Sequence, residues 1–155
     1  MERIQEVIAD SLKGIEFEPM INIAHNYAAF EHHFDKDVIV HRKGATLARE
    51  GVIGIIPGSQ GTASYIVKGL CNPDSFCSCS HGAGRVLSRK AAIKTLDMDA
   101  EVRNLEAKGI IHAIRCQDDM QEASGAYKDI DTVIANESDL VKVKTKLLPI
   151  AVIKG

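Results

Sequence analysis

The segment "VIGIIPGSQGTASYIVKGL", residues 52–70, constrains the fold more than any other part of the chain. Two runs of β-branched and apolar residues flank a turn at 57–61 that contains one proline and two glycines. Short apolar runs bounded by such turn residues are typical of paired, buried strands. The sequence therefore predicts two buried strands joined by this turn.

Helices and further strands are predicted on both sides of this pair. Helices are expected at 3–14, 20–34, 86–96, 97–109 and, after a turn, within 124–136. In the fourth of these, Asp99 is a candidate N-cap and Gly109 lies just past the end. Strands are expected at the start of 37–46, at 110–116, and twice within 140–155. This order predicts one domain, residues 1–155, of α/β (α+β mixed) class, with mixed sheet layers and flanking helices.

The composition argues against several classes of protein. A formal net charge of -2 gives no global basic signature, and 5% aromatic residues with no tryptophan argue against a base-stacking platform. No apolar stretch approaches the roughly 18 residues of a membrane span, and the first residues lack the pattern of a signal peptide. We therefore expect a cytoplasmic protein with no membrane contact.

Four cysteines, Cys71, Cys77, Cys79 and Cys116, need an interpretation. The C-x5-C-x-C-x-H spacing of the first three differs from the paired knuckles of structural zinc sites. Because no secretion signal is evident, disulfides are not expected. The sequence favours small, half-buried thiols lining a tight loop, and metal ligation by Cys77 or Cys79 is the alternative.

Three glycine-bearing loops, 41–46, 57–65 and 80–85, recur in the middle of the chain. Glycine allows successive backbone amides to point into one concavity, and such nests bind phosphate oxygens. The last loop also precedes a predicted helix, whose N-terminus favours an anion. Four cations lie in or near these loops: Arg42, Lys43, Arg85 and Arg89. Together the loops indicate a phosphate-binding site.

His81, in "SCSHGAGR", lies among the smallest side chains available. A neutral imidazole beside a bound phosphate can attack phosphorus and form a covalent phosphoramidate. The same ring could instead hydrogen-bond a backbone carbonyl. The loop alone leaves both roles open.

The other histidines give weaker signals. His25 and His32 lie seven residues apart on the predicted helix 20–34 and so share a face, where a packed histidine is the ordinary interpretation. No role is assigned to His32, His33 or His112. The lysines that alternate along 141–147 fit a solvated edge strand, and RNA-backbone contact is the alternative.

Six motifs occur together and in order: "AHNYA", "HRKGAT", "PGSQGTASY", "SHGAGRVLSRKAA", "GAYKDID" and "IKG". This combination resembles the C-terminal portion of the RtcB family of tRNA-splicing RNA ligases. The resemblance is close from Met20 to the C-terminus, and residues 1–19 carry no motif of the family.

The resemblance implies a GTP- and manganese-dependent ligase that joins RNA 3′-phosphate or 2′,3′-cyclic phosphate ends to 5′-hydroxyl ends. It places the covalent GMP on His81 and a manganese ligand on His25. The implied guanylate contacts are Ser59, Ser64, His81, Gly82, Ala83, Gly84, Arg85, Tyr127 and Lys154. The implied RNA- or phosphate-binding cations are Arg42, Lys43 and Arg89. The implied partners are RNA, GTP, an N-terminal ligase half and an archease-like activator.

The chain also departs from the family pattern. Family members are far longer, and their remaining metal ligands lie upstream of the part that matches here. Gln60 stands where the family often has methionine. We therefore expect a chain that holds the nucleophile and one metal ligand without completing a two-metal site. A non-catalytic fragment that binds guanine nucleotide or RNA is the alternative.

Overall fold

A computed structural model describes residues 2–152 and confirms the mixed α/β class. The α-helices are α1 (Glu2–Ser11), α2 (Arg89–Thr95), α3 (Met98–Ala107) and α4 (Ile130–Ala135). The strands are β1 (Asn26–His33), β2 (Lys36–Lys43), β3 (Ala45–Leu47), β4 (Ile53–Ile56), β5 (Ser64–Gly69), β6 (Ser78–Ser80) and β7 (Val141–Leu147). Short 3-10 helices cover Pro73–Ser75, Gln117–Glu122 and Ser124–Ala126. Three antiparallel sheets result: β1–β2, β3–β6 and β4–β5–β7.

The predicted strand pair at 52–70 is confirmed as β4 and β5. The two strands pair antiparallel, with Ile56 opposite Tyr65, and β7 adds to the other edge of β5. Alternate side chains point into the core, where Ile56 and Val67 are fully buried against Ile130 of α4. The turn at 57–61 therefore joins two strands that are both anchored in this core.

The predicted helices in the second half of the chain are also confirmed. α3 begins one residue after Asp97, whose carboxylate accepts a hydrogen bond from the Ala100 amide at 3.2 Å. The N-cap is thus Asp97 and not Asp99. Gly109 follows the helix with a φ of +69°, as the stop signal predicted. α2 begins at Arg89 and is capped by Ser88.

The predicted helix at 20–34 is wrong. Residues 26–33 form β1, which pairs along its whole length with β2 through a tight turn at Phe34 and Asp35, both with positive φ. The apolar spacing fitted a helix, but the long-range pairing with β2 decides the structure. His25 consequently precedes a strand, and it shares no helix face with His32.

Two predicted strands are reduced to a single bridge. The segment 110–116 is not a strand, and Ile111 forms an isolated parallel bridge with Ala151. The first of the two closing strands is β7, and Ala151 supplies only this bridge after Pro149 interrupts the chain. The "IKG" motif at 153–155 lies outside the described residues.

The expectation of free thiols is wrong for one pair. Cys71 and Cys77 form a disulfide, because the turn at Pro73–Ser75 folds back and brings their Cα atoms to 4.0 Å. Cys77 therefore offers no thiolate to a metal. Cys79 is buried, its pKa is raised by burial, and its sulfur lies 3.3 Å from the Thr46 hydroxyl.

The hairpin β1–β2 is tied to the segment before β6 by a buried ion pair. Arg42 is 1% exposed and binds both carboxylate oxygens of Glu31, which is 8% exposed. The same guanidinium donates to the Ser78 hydroxyl at 3.0 Å and to the Phe76 carbonyl at 2.8 Å. The hydrogen bond from Arg42 lowers the pKa of Glu31 from its ordinary 4.5 to about 2, against the opposing effect of burial.

No helix within residues 2–152 is both long enough and apolar enough to cross a membrane.

We predict that Glu31→Gln destabilises the protein at pH 7 by about 3 kcal/mol, because it leaves the buried Arg42 charge without its counter-charge. Since the folded-state pKa of Glu31 is depressed, its contribution is complete above pH 4.5 and is lost as the pH falls towards 2. The difference between the two proteins should therefore narrow over that interval in urea denaturation followed by circular dichroism.

Asp37→Asn is the matched control, because the Asp37 contact to His32 is exposed and such pairs contribute about 1 kcal/mol or less. Equal stability of Glu31→Gln and wild type at pH 7 would contradict the importance of the buried pair.

Candidate functional site

His81 follows directly after β6, and the pairing of β6 with β3 brings two of the glycine loops together. Ala45 lies opposite Ser80, so Gly44 and His81 are neighbours beyond the end of this small sheet. A Cβ added to Gly44 would lie 3.8 Å from the His81 ring. The Gly44 amide also donates to the His25 carbonyl at 3.3 Å, which brings the "AHN" motif to the same place.

The rings of His25 and His81 are stacked. Their centroids lie 5.2 Å apart and their planes differ by 21°. His81 is half-buried and His25 is exposed. The ring that the sequence singled out is therefore accessible, and it lies beside the histidine predicted as a metal ligand.

His81 lines two hollows. The first, here called the loop hollow, has a volume of about 330 Å³ and is lined by Pro57, Gly58, 81–85, Arg89 and Tyr127. The second, here called the His25 hollow, has a volume of about 440 Å³ and is lined by 20–23, His25, Thr46, Ile55, Pro57 and His81. Each is large enough for a phosphate group, and the loop hollow brings together the second and third glycine loops.

Direct backbone contacts join those two loops. The Ala83 amide donates to the Pro57 carbonyl at 3.0 Å, and a Cβ on Gly82 would lie 3.2 Å from the same oxygen. A Cβ on Gly58 would overlap the Ala63 carbonyl oxygen. Glycine is therefore required at Gly58, where the backbone folds back on itself.

The predicted serines have different surroundings. The Ser59 amide donates to the Thr62 hydroxyl at 2.6 Å, and the two hydroxyl oxygens lie 2.9 Å apart. Thr62 therefore closes the loop around Ser59. Ser64 is half-buried and begins β5 opposite Leu147.

Arg85 and Tyr127 form one cluster at the wall of the loop hollow. The Arg85 guanidinium donates to the Tyr127 hydroxyl at 2.8 Å and lies 4.8 Å from the centre of its ring. Glu122 accepts a hydrogen bond from the Tyr127 hydroxyl and lies 3.4 Å from both Arg85 and Arg89. The cluster fixes the positions of two cations and one aromatic ring that the sequence predicted as ligands.

Titration of this cluster follows from its burial and charges. Burial raises the pKa of the Tyr127 hydroxyl, and the hydrogen bond to the Glu122 carboxylate raises it further. Burial also raises the pKa of Glu122, but hydrogen bonds from Tyr127 and Arg89 and the charge of Arg85 outweigh it, so the net pKa is lowered. At neutral pH the cluster therefore contains a neutral phenol and an ionised carboxylate.

The structure contradicts the role predicted for Arg42. All five N–H groups of its buried guanidinium have acceptors within the protein, on Glu31, Tyr27, Ser78 and Phe76. No donor is left for a phosphate group. The adjacent Lys43 is exposed at the end of β2, and Lys154 lies outside the described residues.

Several residues that build the site are not recognisable from the sequence alone. Glu122 orders Arg85 and Tyr127, and Glu137 accepts a hydrogen bond from the Ser80 amide at 3.0 Å just before His81. Gln60, which stands where the family often has methionine, donates to Glu101 at 3.0 Å. The sequence gives no local signal for the contact of Glu122 with Arg85, because the two residues lie 37 positions apart.

The residues present supply only part of a metal site. Within residues 2–152, no three side chains among histidine, cysteine, aspartate and glutamate converge as a metal site requires. His25, exposed and stacked on His81, offers one imidazole ligand. Further ligands would have to come from outside the described residues.

Comparison with known proteins assigns the chain to a family. The model of the tRNA-splicing ligase RtcB family matches residues 1–155, and the chain belongs to this family. The RNA-splicing ligase RtcB of Escherichia coli K12 is 47% identical over 135 residues, which cover 87% of this chain and 32% of the relative.

Two further relatives agree with this result. The RNA-splicing ligase RtcB1 of another Escherichia coli strain is 47% identical over 98% of this chain and 37% of its own length. The tRNA-splicing ligase RtcB of Pyrococcus horikoshii is 39% identical over 99% of this chain and 20% of its own length. The chain thus spans between about a fifth and two fifths of these relatives.

We predict that Gly58→Ala lowers the free energy of unfolding by about 1–3 kcal/mol, because the added methyl group overlaps the Ala63 carbonyl. Gly54→Ala is the comparison, since its Cβ would meet a side-chain methyl group of Val67 at 3.3 Å and no backbone atom within 4 Å, so a smaller loss is expected. Urea denaturation measures both. An unchanged free energy of unfolding in Gly58→Ala would show that the 57–63 loop is not closely packed.

Proposed function

We propose that this chain is the C-terminal, nucleotide-binding domain (residues 1–155) of a GTP-dependent RNA ligase. The observation that carries the proposal is the accessible His81 ring at the edge of a hollow lined by Gly82–Gly84, Arg85 and Arg89. The names of the relatives, which are RNA- or tRNA-splicing ligases, support the same class of reaction.

The first step is transfer of guanylate to His81. A ring nitrogen attacks the α-phosphorus of GTP, a P–N bond forms, and the bond from this phosphorus to the bridging oxygen breaks as pyrophosphate leaves. The proton of the other ring nitrogen passes to solvent. A histidine nucleophile divides one difficult transfer into two easier ones.

Two further steps complete the ligation. An oxygen of the RNA 3′-phosphate attacks the same phosphorus, and the P–N bond breaks as the imidazole takes a proton back from solvent, which restores the neutral ring. The RNA 5′-hydroxyl then attacks the phosphorus at the 3′ end, forming the phosphodiester and releasing GMP, while the hydroxyl proton goes to solvent. A 2′,3′-cyclic phosphate end enters after hydrolysis to the 3′-phosphate.

The other residues of the loop hollow bind the nucleotide in this proposal. The backbone amides of Gly82 and Gly84 face phosphate oxygens, Ala83 lines the hollow while its amide stays bonded to the Pro57 carbonyl, and Arg85 and Arg89 neutralise the phosphate charge. The guanosine part is held by Ser59, Ser64, Tyr127 and Lys154. Lys43 remains a candidate for RNA-backbone contact, since it is exposed on the adjacent strand.

His25 would contribute one imidazole ligand to a manganese ion, for which imidazole and oxygen ligands are suitable. Such an ion offsets the negative charge that develops as pyrophosphate leaves. Since the described residues do not complete a metal site, we propose that the N-terminal part of the ligase supplies the remaining ligands.

Exposed apolar residues support a partner of this kind. No residue of α1 is buried, and Ile4, Val7 and Leu12 are each more than half exposed. A ten-residue helix is marginal in water unless its apolar face packs on another surface. We further propose RNA and an archease-like activator as partners, and the cytoplasm as the location.

A second candidate is a fragment that binds guanine nucleotide or RNA without catalysis. The incomplete metal site within residues 2–152 favours it. Calorimetry with GTP separates the ligase domain from the non-catalytic fragment. GTP binding that never leads to a covalent adduct, even when an N-terminal ligase part is added, supports the fragment.

We predict covalent labelling of His81 when residues 1–155 are mixed with the N-terminal two-thirds of the Escherichia coli relative, Mn²⁺ and GTP labelled at the α-phosphate. Mass spectrometry should place one GMP on the peptide that contains His81. The chain alone should remain unlabelled, because its metal ligands are incomplete.

The label should be absent from His81→Ala and retained in His41→Ala, which removes an exposed histidine from β2. Labelling of the His81→Ala chain would contradict the proposed nucleophile. Strong labelling of residues 1–155 alone would contradict the need for a partner.

A further inference from the structure

α3 carries a buried carboxylate that does not line the loop hollow. Glu101 lies in the first turn of this helix and is 9% exposed. Its Oε1 atom accepts three hydrogen bonds, all from side chains or backbone outside the helix. A buried carboxylate needs such partners, and charge-assisted bonds are stronger than neutral ones.

One of the three bonds holds the loop that carries Ser59. The Gln60 amide donates to Glu101 Oε1 at 3.0 Å. The next residue is fixed by the same helix, because the Lys108 ammonium donates to the Gly61 carbonyl at 2.9 Å. A Cβ on Gly61 would lie 3.0 Å from Leu105. Glu101 of α3 and Lys108, the residue that caps the end of this helix, therefore hold residues 60 and 61.

The other two bonds hold the segment that carries Tyr127. The Ser124 amide and hydroxyl donate to the same Oε1 atom at 2.8 and 2.9 Å. Ser124 begins the 3-10 turn that ends at Ala126, and its carbonyl accepts from the Tyr127 amide at 3.2 Å. The position of the Tyr127 backbone thus depends on Ser124.

We propose that Glu101 is a positioning residue for guanylate binding, because one carboxylate oxygen fixes the Ser59 loop and the Tyr127 segment relative to each other. The inference rests on the proposed function, in which Ser59 and Tyr127 contact the guanosine. Glu101 itself touches no nucleotide.

Loss of the carboxylate leaves the Gln60 amide and both donors of Ser124 without their acceptor. A buried donor without an acceptor is costly, so each segment should shift to conformations in which its donors bond to water or to another acceptor. The two segments belong to different parts of the chain, so each would move independently. His81 follows β6, and the hydrogen bonds of Glu101 go to Gln60 and Ser124, so we expect the reactivity of His81 to be preserved.

Hydrogen–deuterium exchange of residues 1–155 tests the link without requiring activity. Glu101→Ala should speed amide exchange in both 57–63 and 122–127 and leave β5 unchanged. Gln60→Met, which removes one donor only, should speed exchange in the first segment alone. Glu106→Ala, an exposed glutamate on the same helix, is the control and should change neither segment.

Guanylylation kinetics in the complemented complex test the consequence for binding. Glu101→Ala should raise KM for GTP about tenfold, because GTP must then order the two loosened segments on binding, while kcat stays within about twofold. Glu101→Gln, which keeps an oxygen acceptor at the same position, should recover most of the loss.

The two experiments separate this inference from the proposed function. If the wild-type complex is not labelled at His81, the proposed function fails, and exchange alone decides whether Glu101 links the two segments. An unchanged KM in Glu101→Ala, or faster exchange in only one segment, would overturn the inference. A general loss of folding would raise exchange in β5 as well.

Discussion

The buried guanidinium of Arg42 is the contact on which the arrangement of the site depends. It joins the hairpin β1–β2 to the segment that leads into β6. The start of β6, the strand before His81, is therefore held in place by these hydrogen bonds. The short pairing of β3 with β6 then sets His81 beside Gly44 and His25. Breaking the buried pair of Arg42 and Glu31 would loosen this path at its start, before the core contact that Cys79 makes in β6.

The strand pair β4–β5 and helix α3 could be predicted from short sequence patterns, whereas the hairpin β1–β2 could not. β4, β5 and α3 carry their own turn, cap and stop residues, so short windows of sequence identify them. Residues 26–33 have apolar spacing that fits a helix, and they become a strand because β2 offers a complete hydrogen-bonding partner. The Cys71–Cys77 bond likewise depends on a turn geometry that spacing alone does not reveal.

The candidate site shows the same division. The glycine loops and His81 are recognisable from short stretches of sequence, because a histidine among glycine and other small residues is typical of a phosphate-binding loop. Glu122 and Glu101 are not, since each acts through partners distant in the sequence. Arg42 was misassigned for the same reason: its charge is visible in the sequence, but its counter-charge on Glu31 becomes apparent only when the hairpin forms.

His81 and Pro57 are the two residues shared by the loop hollow and the His25 hollow. The imidazole therefore lies between the two hollows, with the nucleotide proposed on one side and the metal proposed on the other. A small side chain at this position would remove the ring from the wall of both hollows. Any loss of activity in such a variant would then combine the missing imidazole with a change in the shape of both hollows.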